Sequence, residues 1–65
     1  MDLKLTLVEI VHLRWTAEGR SFEEIAVVEY CPVEVVAANL SSASKKLSAT
    51  TLQDALENAK FRSLI

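Results

Sequence analysis

The chain has 65 residues, a formal net charge of −2 and a single cysteine, and 51% of its residues are hydrophobic. A chain near that length forms one small domain with a thin core, since it buries only about 60% of the surface its unfolded form exposes. The charge balance excludes a general electrostatic attraction to nucleic acid, the lone Cys31 excludes an internal disulfide, and without an apolar run of roughly 18 residues nothing is expected to span a membrane.

The hydrophobic content favours a compact fold over disorder and leaves apolar surface for a partner. No basic start or small-residue cleavage site marks a signal peptide, and the unpaired thiol suits a reducing compartment, so the cytoplasm is the expected location. Residues 1–65 read as one domain without linker or repeat, with Gly19 and Pro32 at its natural breaks.

The first eight residues alternate briefly, with Leu3, Leu5 and Leu7 against Lys4 and Thr6, so a short strand competes there with a helix start. Thr6 and Glu9 have capping-box spacing, which starts helix 1 near Leu7. Gly19 suits the left-handed position that ends it. Ser21 and Glu24 repeat the box and open helix 2, with Phe22, Ile25 and Ala26 inward. This helix ends by Glu29 or Tyr30, because Cys31 precedes Pro32 and is biased away from the helical region. Pro32 is tolerated at the start of the next helix.

Helix 3 is expected from about Val33 to Leu47. Val33, Val36, Leu40, Ala43 and Leu47 recur at 3,4 spacing and form its inward stripe. The opposite face carries Glu34, Val35, Ala38, Ser41, Ser42 and Lys45. Thr51 and Asp54 give a third box at the start of helix 4, which runs to about Arg62 with Leu52, Ala55, Leu56 and Ala59 on its apolar side. Leu64 and Ile65 are placed to fold back on the core. The pattern predicts an all-α fold of four helices.

The string "LT..E....RW.AEG.S.EEIA", a later "KKL" and then "ATTLQDAL.NA" resemble the LuxR/FixJ-type helix-turn-helix domain, over nearly the whole chain. The closest flavour, through "LRW", "EEIA" and "VVE", is the C-terminal domain of TraR-like quorum-sensing regulators. The resemblance implies a tri-helical core plus a C-terminal fourth helix, with helix 3 as a recognition helix in the major groove of double-stranded DNA. It makes Glu34, Val35, Ala38, Asn39, Ser41, Ser42, Lys45 and Lys46 the candidate DNA-contact residues. It makes helix 4, through Leu52, Leu56, Ala59 and Lys60, the candidate dimer or partner contact. Since the motif begins within a few residues of Met1, the chain is expected to be either a stand-alone small protein or an excised domain.

The departures from the family are mostly electrostatic. Glu23, Glu34, Ala37, Asn39 and Thr50 stand where the family often has Lys, Arg or neutral polar residues; Tyr30 replaces a turn glycine, Pro32 a cap serine, and His12 an apolar residue. From Ser21 through Ser44 there is no Lys or Arg, and there are four Glu. Each phosphate contact made by Lys or Arg releases about one counterion, and non-specific affinity is built almost entirely from such contacts. Lys45 and Lys46 remain, either to touch backbone phosphates or to answer the helix dipole. Asn39 has the amide that pairs with adenine, Glu34 an acceptor for cytosine N4, and no arginine is present for guanine.

Two readings follow. The first is a LuxR-type DNA-binding transcriptional regulator that binds DNA weakly or with assistance, as a homodimer or a heterodimer. In the second, the smooth patch of Val35, Ala38, Ser41 and Ser42 binds a full-length LuxR-type regulator, and the chain acts as an antiactivator. No catalytic spacing, metal-ligand cluster or phosphate loop recurs, so no enzyme, metal, cofactor or small-molecule ligand is expected. His12 and Trp15 are expected to pack, Cys31 to fill the core, and Glu23-Glu24 to be a solvated helix start. Tyr30 must avoid the left-handed conformation or tolerate its strain.

Overall fold

The computed structural model describes residues 4–65. Four helices follow in order: α1 Leu7–Ala17, α2 Phe22–Val28, α3 Val33–Lys46 and α4 Leu52–Phe61. There is no strand among the described residues, so the fold is all-α. In the alternating N-terminal stretch, Leu3 lies outside the described residues, residues 4–6 have no regular structure, and the helix begins at Leu7.

The helix starts follow from local chemistry. The Glu9 N–H donates to the Thr6 hydroxyl at 3.1 Å, and the Thr6 N–H donates to the Glu9 carboxylate at 2.8 Å. Ser21 and Glu24 make the same reciprocal pair at 3.1 and 2.9 Å. Each such cap contributes about 1 kcal/mol, which matters most for α2, whose seven residues are too few to be helical without caps and packing. The expected third box is only half made. The Asp54 N–H donates to the Thr51 hydroxyl at 3.1 Å, but the Asp54 carboxylate accepts from the Thr50 hydroxyl at 3.0 Å. Aspartate is one methylene shorter than glutamate, and a neighbouring hydroxyl competes for it.

The helix ends share one device. Gly19, Tyr30, Ser48 and Ser63 all have positive φ, at 91°, 56°, 55° and 58°. After each of them the next N–H reaches back to a carbonyl five residues earlier: Arg20 to Trp15, Cys31 to Ala26, Ala49 to Ser44 and Leu64 to Ala59, at 2.8 to 3.1 Å. These are Schellman closures, and they satisfy carbonyls that a helix end leaves open. Of the two options the sequence leaves Tyr30, it takes the left-handed one.

α3 is the central element and packs against α1, α2 and α4. Val36, Leu40, Ala43 and Leu47 are buried as their spacing predicts, while Val33, at the helix start, is half-buried. They meet Leu13 of α1, Ile25 of α2 and Ala55, Leu56 and Ala59 of α4. Leu64 and Ile65 fold back onto this cluster, as do the half-buried Trp15 and Cys31. The Asn58 side chain donates to the Leu47 carbonyl at 3.2 Å and ties α4 to the end of α3. Between α2 and α3 the chain bends by 110° across residues 29–32. No single helix among the described residues is long and apolar enough to cross a membrane.

Candidate functional site

The packing of α3 leaves one long face outward. Glu34, Val35, Ala38, Ser41 and Lys45 are exposed on it, so five of the eight residues expected to contact DNA are presented to solvent. Lys45 is the one cation among those five.

The other three are turned toward α1. Asn39, Ser42 and Lys46 recur at 3,4 spacing, each one residue ahead of the buried Leu40, Ala43 and Leu47. They form the flank of the core stripe, and α1 covers it with Glu9 and His12, one turn apart. The Lys46 ammonium donates to the Glu9 carboxylate at 2.9 Å, the Ser42 hydroxyl helps to hold the same carboxylate in its charged form, and the Asn39 amide nitrogen lies 3.5 Å from His12 Nδ1. His12 and Glu9 are 1% and 3% exposed, so this is an interior polar seam. Asn39, Ser42 and Lys46 are half-buried at the edge of the α1–α3 contact, with Asn39 and Lys46 turned to His12 and Glu9 rather than along the outward face.

Burial by itself would raise the Glu9 carboxyl. The hydrogen bonds from Lys46, the Thr6 backbone and Ser42, with the Lys46 charge, more than offset it and hold the group at about 2. Glu9 thus caps α1 and anchors the end of α3. The capping-box spacing revealed the first role; the second has no local signal. His12 packs in the interior as expected, though with a polar partner.

The candidate contact on α4 is also redrawn. Ala59 is fully buried and Leu56 nearly so, and both belong to the core. Leu52 is half-buried against the same cluster, and Lys60 is exposed. The apolar side of α4 is occupied within the chain, which leaves Leu56 and Ala59 little surface for a partner.

Around the 29–32 connection the sequence reading missed a cluster. Trp15 Nε1–H donates to the Glu29 carboxylate at 2.7 Å, which ties α1 to the end of α2. The Arg20 guanidinium stands 5.7 Å from the centroid of the Trp15 ring. Val27 is 75% exposed, Tyr30 95% exposed, and Val28 also reaches solvent. Arg20, Glu23, Glu24, Val27 and Val28 line a shallow groove of about 360 Å³. The signal was present: Val27 and Val28 fall outside the inward set of Phe22, Ile25 and Ala26. Among the described residues no group of three or more His, Cys, Asp and Glu is arranged to hold a metal ion.

No family model, no curated protein and no solved structure matches the chain.

Proposed function

We propose that the chain is a LuxR-type helix-turn-helix unit of transcription control that acts on a LuxR-type regulator as an antiactivator, rather than by holding DNA itself. The helix-turn-helix assignment is supported by the 110° bend across residues 29–32, within the roughly 90–120° range of such motifs, and by the outward face of α3. The family resemblance set out above adds the LuxR type; it is an analogy, and the role has to rest on the surface chemistry.

One observation carries the choice against DNA. Of the candidate contact residues on α3, Asn39, Ser42 and Lys46 are half-buried at the α1–α3 contact, and Lys45 is the single cation among the exposed remainder. Glu23, Glu24 and Glu34 are exposed on α2 and α3. A phosphate-binding surface gains affinity through cations that displace counterions. This surface has about one such group and several anions that repel phosphate.

DNA binding is retained as the second reading because Lys45 lies in the last turn of α3, on its exposed side. The test has two arms. The labelled chain is titrated with mixed-sequence duplex DNA at low and moderate salt and followed by NMR. In parallel, the tagged chain is purified from cells that express a LuxR-type regulator, and the DNA binding of that regulator is measured with and without the chain. Co-purification with loss of regulator DNA binding, and no shifts with DNA alone, is the expected result. Salt-sensitive shifts along α3 with DNA, and no regulator bound, would reverse the order of the two readings.

A further inference from the structure

We infer that the outer surface of α2 and the turn after it, formed by Glu23, Val27, Val28 and Tyr30, docks the basic, DNA-facing surface of a LuxR-type regulator. The inference rests on the reading above and assigns its contact surface, which is separate from the α3 face.

Tyr30 is the first reason. It holds a left-handed backbone at φ 56° and is 95% exposed. The three other positions of this kind are filled by Gly19, Ser48 and Ser63, which are small. A bulky side chain there is a backbone outlier, and strain of this sort concentrates at functional positions. The ring gains almost nothing inside the chain, since nearly all of its surface meets water. Tyrosine is also among the residues that most often anchor protein interfaces.

The second reason is what surrounds the ring. The Tyr30 N–H closes onto the Val27 carbonyl at 3.4 Å, so the ring is carried at the end of the helix that presents Val27 and Val28. These valines adjoin Glu23 and Glu24 in one groove. The surface is therefore an apolar centre with a charged rim, Glu23 and Glu24 against Arg20, the usual anatomy of an interface.

Charge selects the occupant. Two exposed carboxylates, Glu23 and Glu24, stand at the groove; of the other two Glu between Ser21 and Ser44, Glu29 bonds Trp15 and Glu34 lies on α3. The one cation at the groove, Arg20, sits over Trp15. Duplex DNA would meet like charge here, and a second copy of the chain would set Glu23 and Glu24 against the same pair. A DNA-binding surface carries Lys and Arg and is the complementary partner.

The test uses the whole chain, the purified DNA-binding domain of a LuxR-type regulator from the same cell as probe, and two variants. Tyr30→Gly keeps the fold, because glycine prefers this backbone conformation. Glu23→Lys reverses one rim charge at an exposed site. The wild type is expected to bind more weakly at moderate than at low salt, with shifts at Glu23, Val27, Val28 and Tyr30. Tyr30→Gly is expected to weaken binding about tenfold or more, and Glu23→Lys to slow association and flatten its salt dependence. Wild-type binding with shifts confined to α3 or α4, and unchanged in Tyr30→Gly, would overturn this inference and leave the antiactivator reading standing. Absence of binding by the wild type would overturn both. Self-association in sedimentation that Tyr30→Gly abolishes would make a second copy the occupant and overturn the assignment to a basic partner.

Discussion

The Lys46 ammonium stands 2.9 Å from the Glu9 carboxylate, and this pair joins the first turn of α1 to the last turn of α3. The same carboxylate oxygen accepts the Thr6 N–H at 2.8 Å. One side chain therefore closes a helix start and fixes the crossing of two helices. The buried charge is tolerated because the Lys46 ammonium and the Thr6 N–H both donate to it.

Stability should consequently depend on pH through Glu9. The carboxyl is held at about 2 in the fold, against 4.5 for a free glutamate. A depressed carboxyl stabilises the fold fully above the unfolded value and loses that contribution as pH falls from about 4.5 toward 2. Allowing for screening at the partly exposed Lys46, the contribution is on the order of 2 kcal/mol. Urea unfolding of the wild type at pH 7 and at pH 3 should show the loss. Glu9→Gln should start about 1–2 kcal/mol lower at pH 7 and change less over the same range. An equal pH dependence in wild type and variant would show that Glu9 is not the group responsible.

The two adjacent lysines should behave differently. Lys46→Met leaves the buried Glu9 carboxylate without its counter-charge and should cost about 2–3 kcal/mol. Lys45→Met removes an exposed charge and should stay within about 0.5 kcal/mol. Denaturant midpoints of the two variants against wild type decide this, and equal effects would contradict the seam between α1 and α3.

Trp15 reports on the connection between α1 and α2. Its indole N–H donates to the Glu29 carboxylate at 2.7 Å, a short charge-assisted bond. Glu29→Ala should cost about 1–2 kcal/mol, and the tryptophan emission should shift because the polar group beside the indole is gone. Glu29→Gln restores an acceptor and should recover part of the loss. Fluorescence-detected unfolding of both variants measures energy and environment in one experiment.

Tyr30→Gly should stabilise the free chain. A left-handed backbone costs a non-glycine residue roughly 1–2 kcal/mol, partly offset by the greater freedom of glycine in the unfolded state. A net gain of about 0.5–1 kcal/mol in thermal or urea unfolding is expected. A loss of stability would mean that the exposed ring does more within the chain than its burial implies.

The His12–Asn39 contact is long, at 3.5 Å, so its energy should be small. Asn39→Ala should cost about 1 kcal/mol, chiefly by leaving the buried imidazole without its partner on α3. A double-mutant cycle with His12→Leu isolates the coupling, and a value near zero would make the two side chains packing neighbours only.

The legible part of the fold is the part written in nearby residues. Thr6 with Glu9 and Ser21 with Glu24 mark two helix starts, because capping is a bond between residues three apart. The spacing of Val36, Leu40, Ala43 and Leu47 names the inward side of α3, because a helix turns about once in 3.6 residues. Asp54 misleads for a reason just as local: its shorter side chain bonds Thr50.

The sequence by itself therefore determined the all-α fold, the helix bounds within a residue or two and most of the core. It also determined the charge deficit between Ser21 and Ser44. Only the tertiary structure decided which flank of the core stripe another helix covers. A helical wheel gives the angle of Asn39, Ser42 and Lys46 from the core and says nothing of α1 beside them. That arrangement depends on how α1 crosses α3, where residues up to 37 positions apart in the chain meet. It draws Asn39, Ser42 and Lys46 toward a polar seam with α1, because burying the apolar sides of all four helices at once allows few arrangements of their flanks.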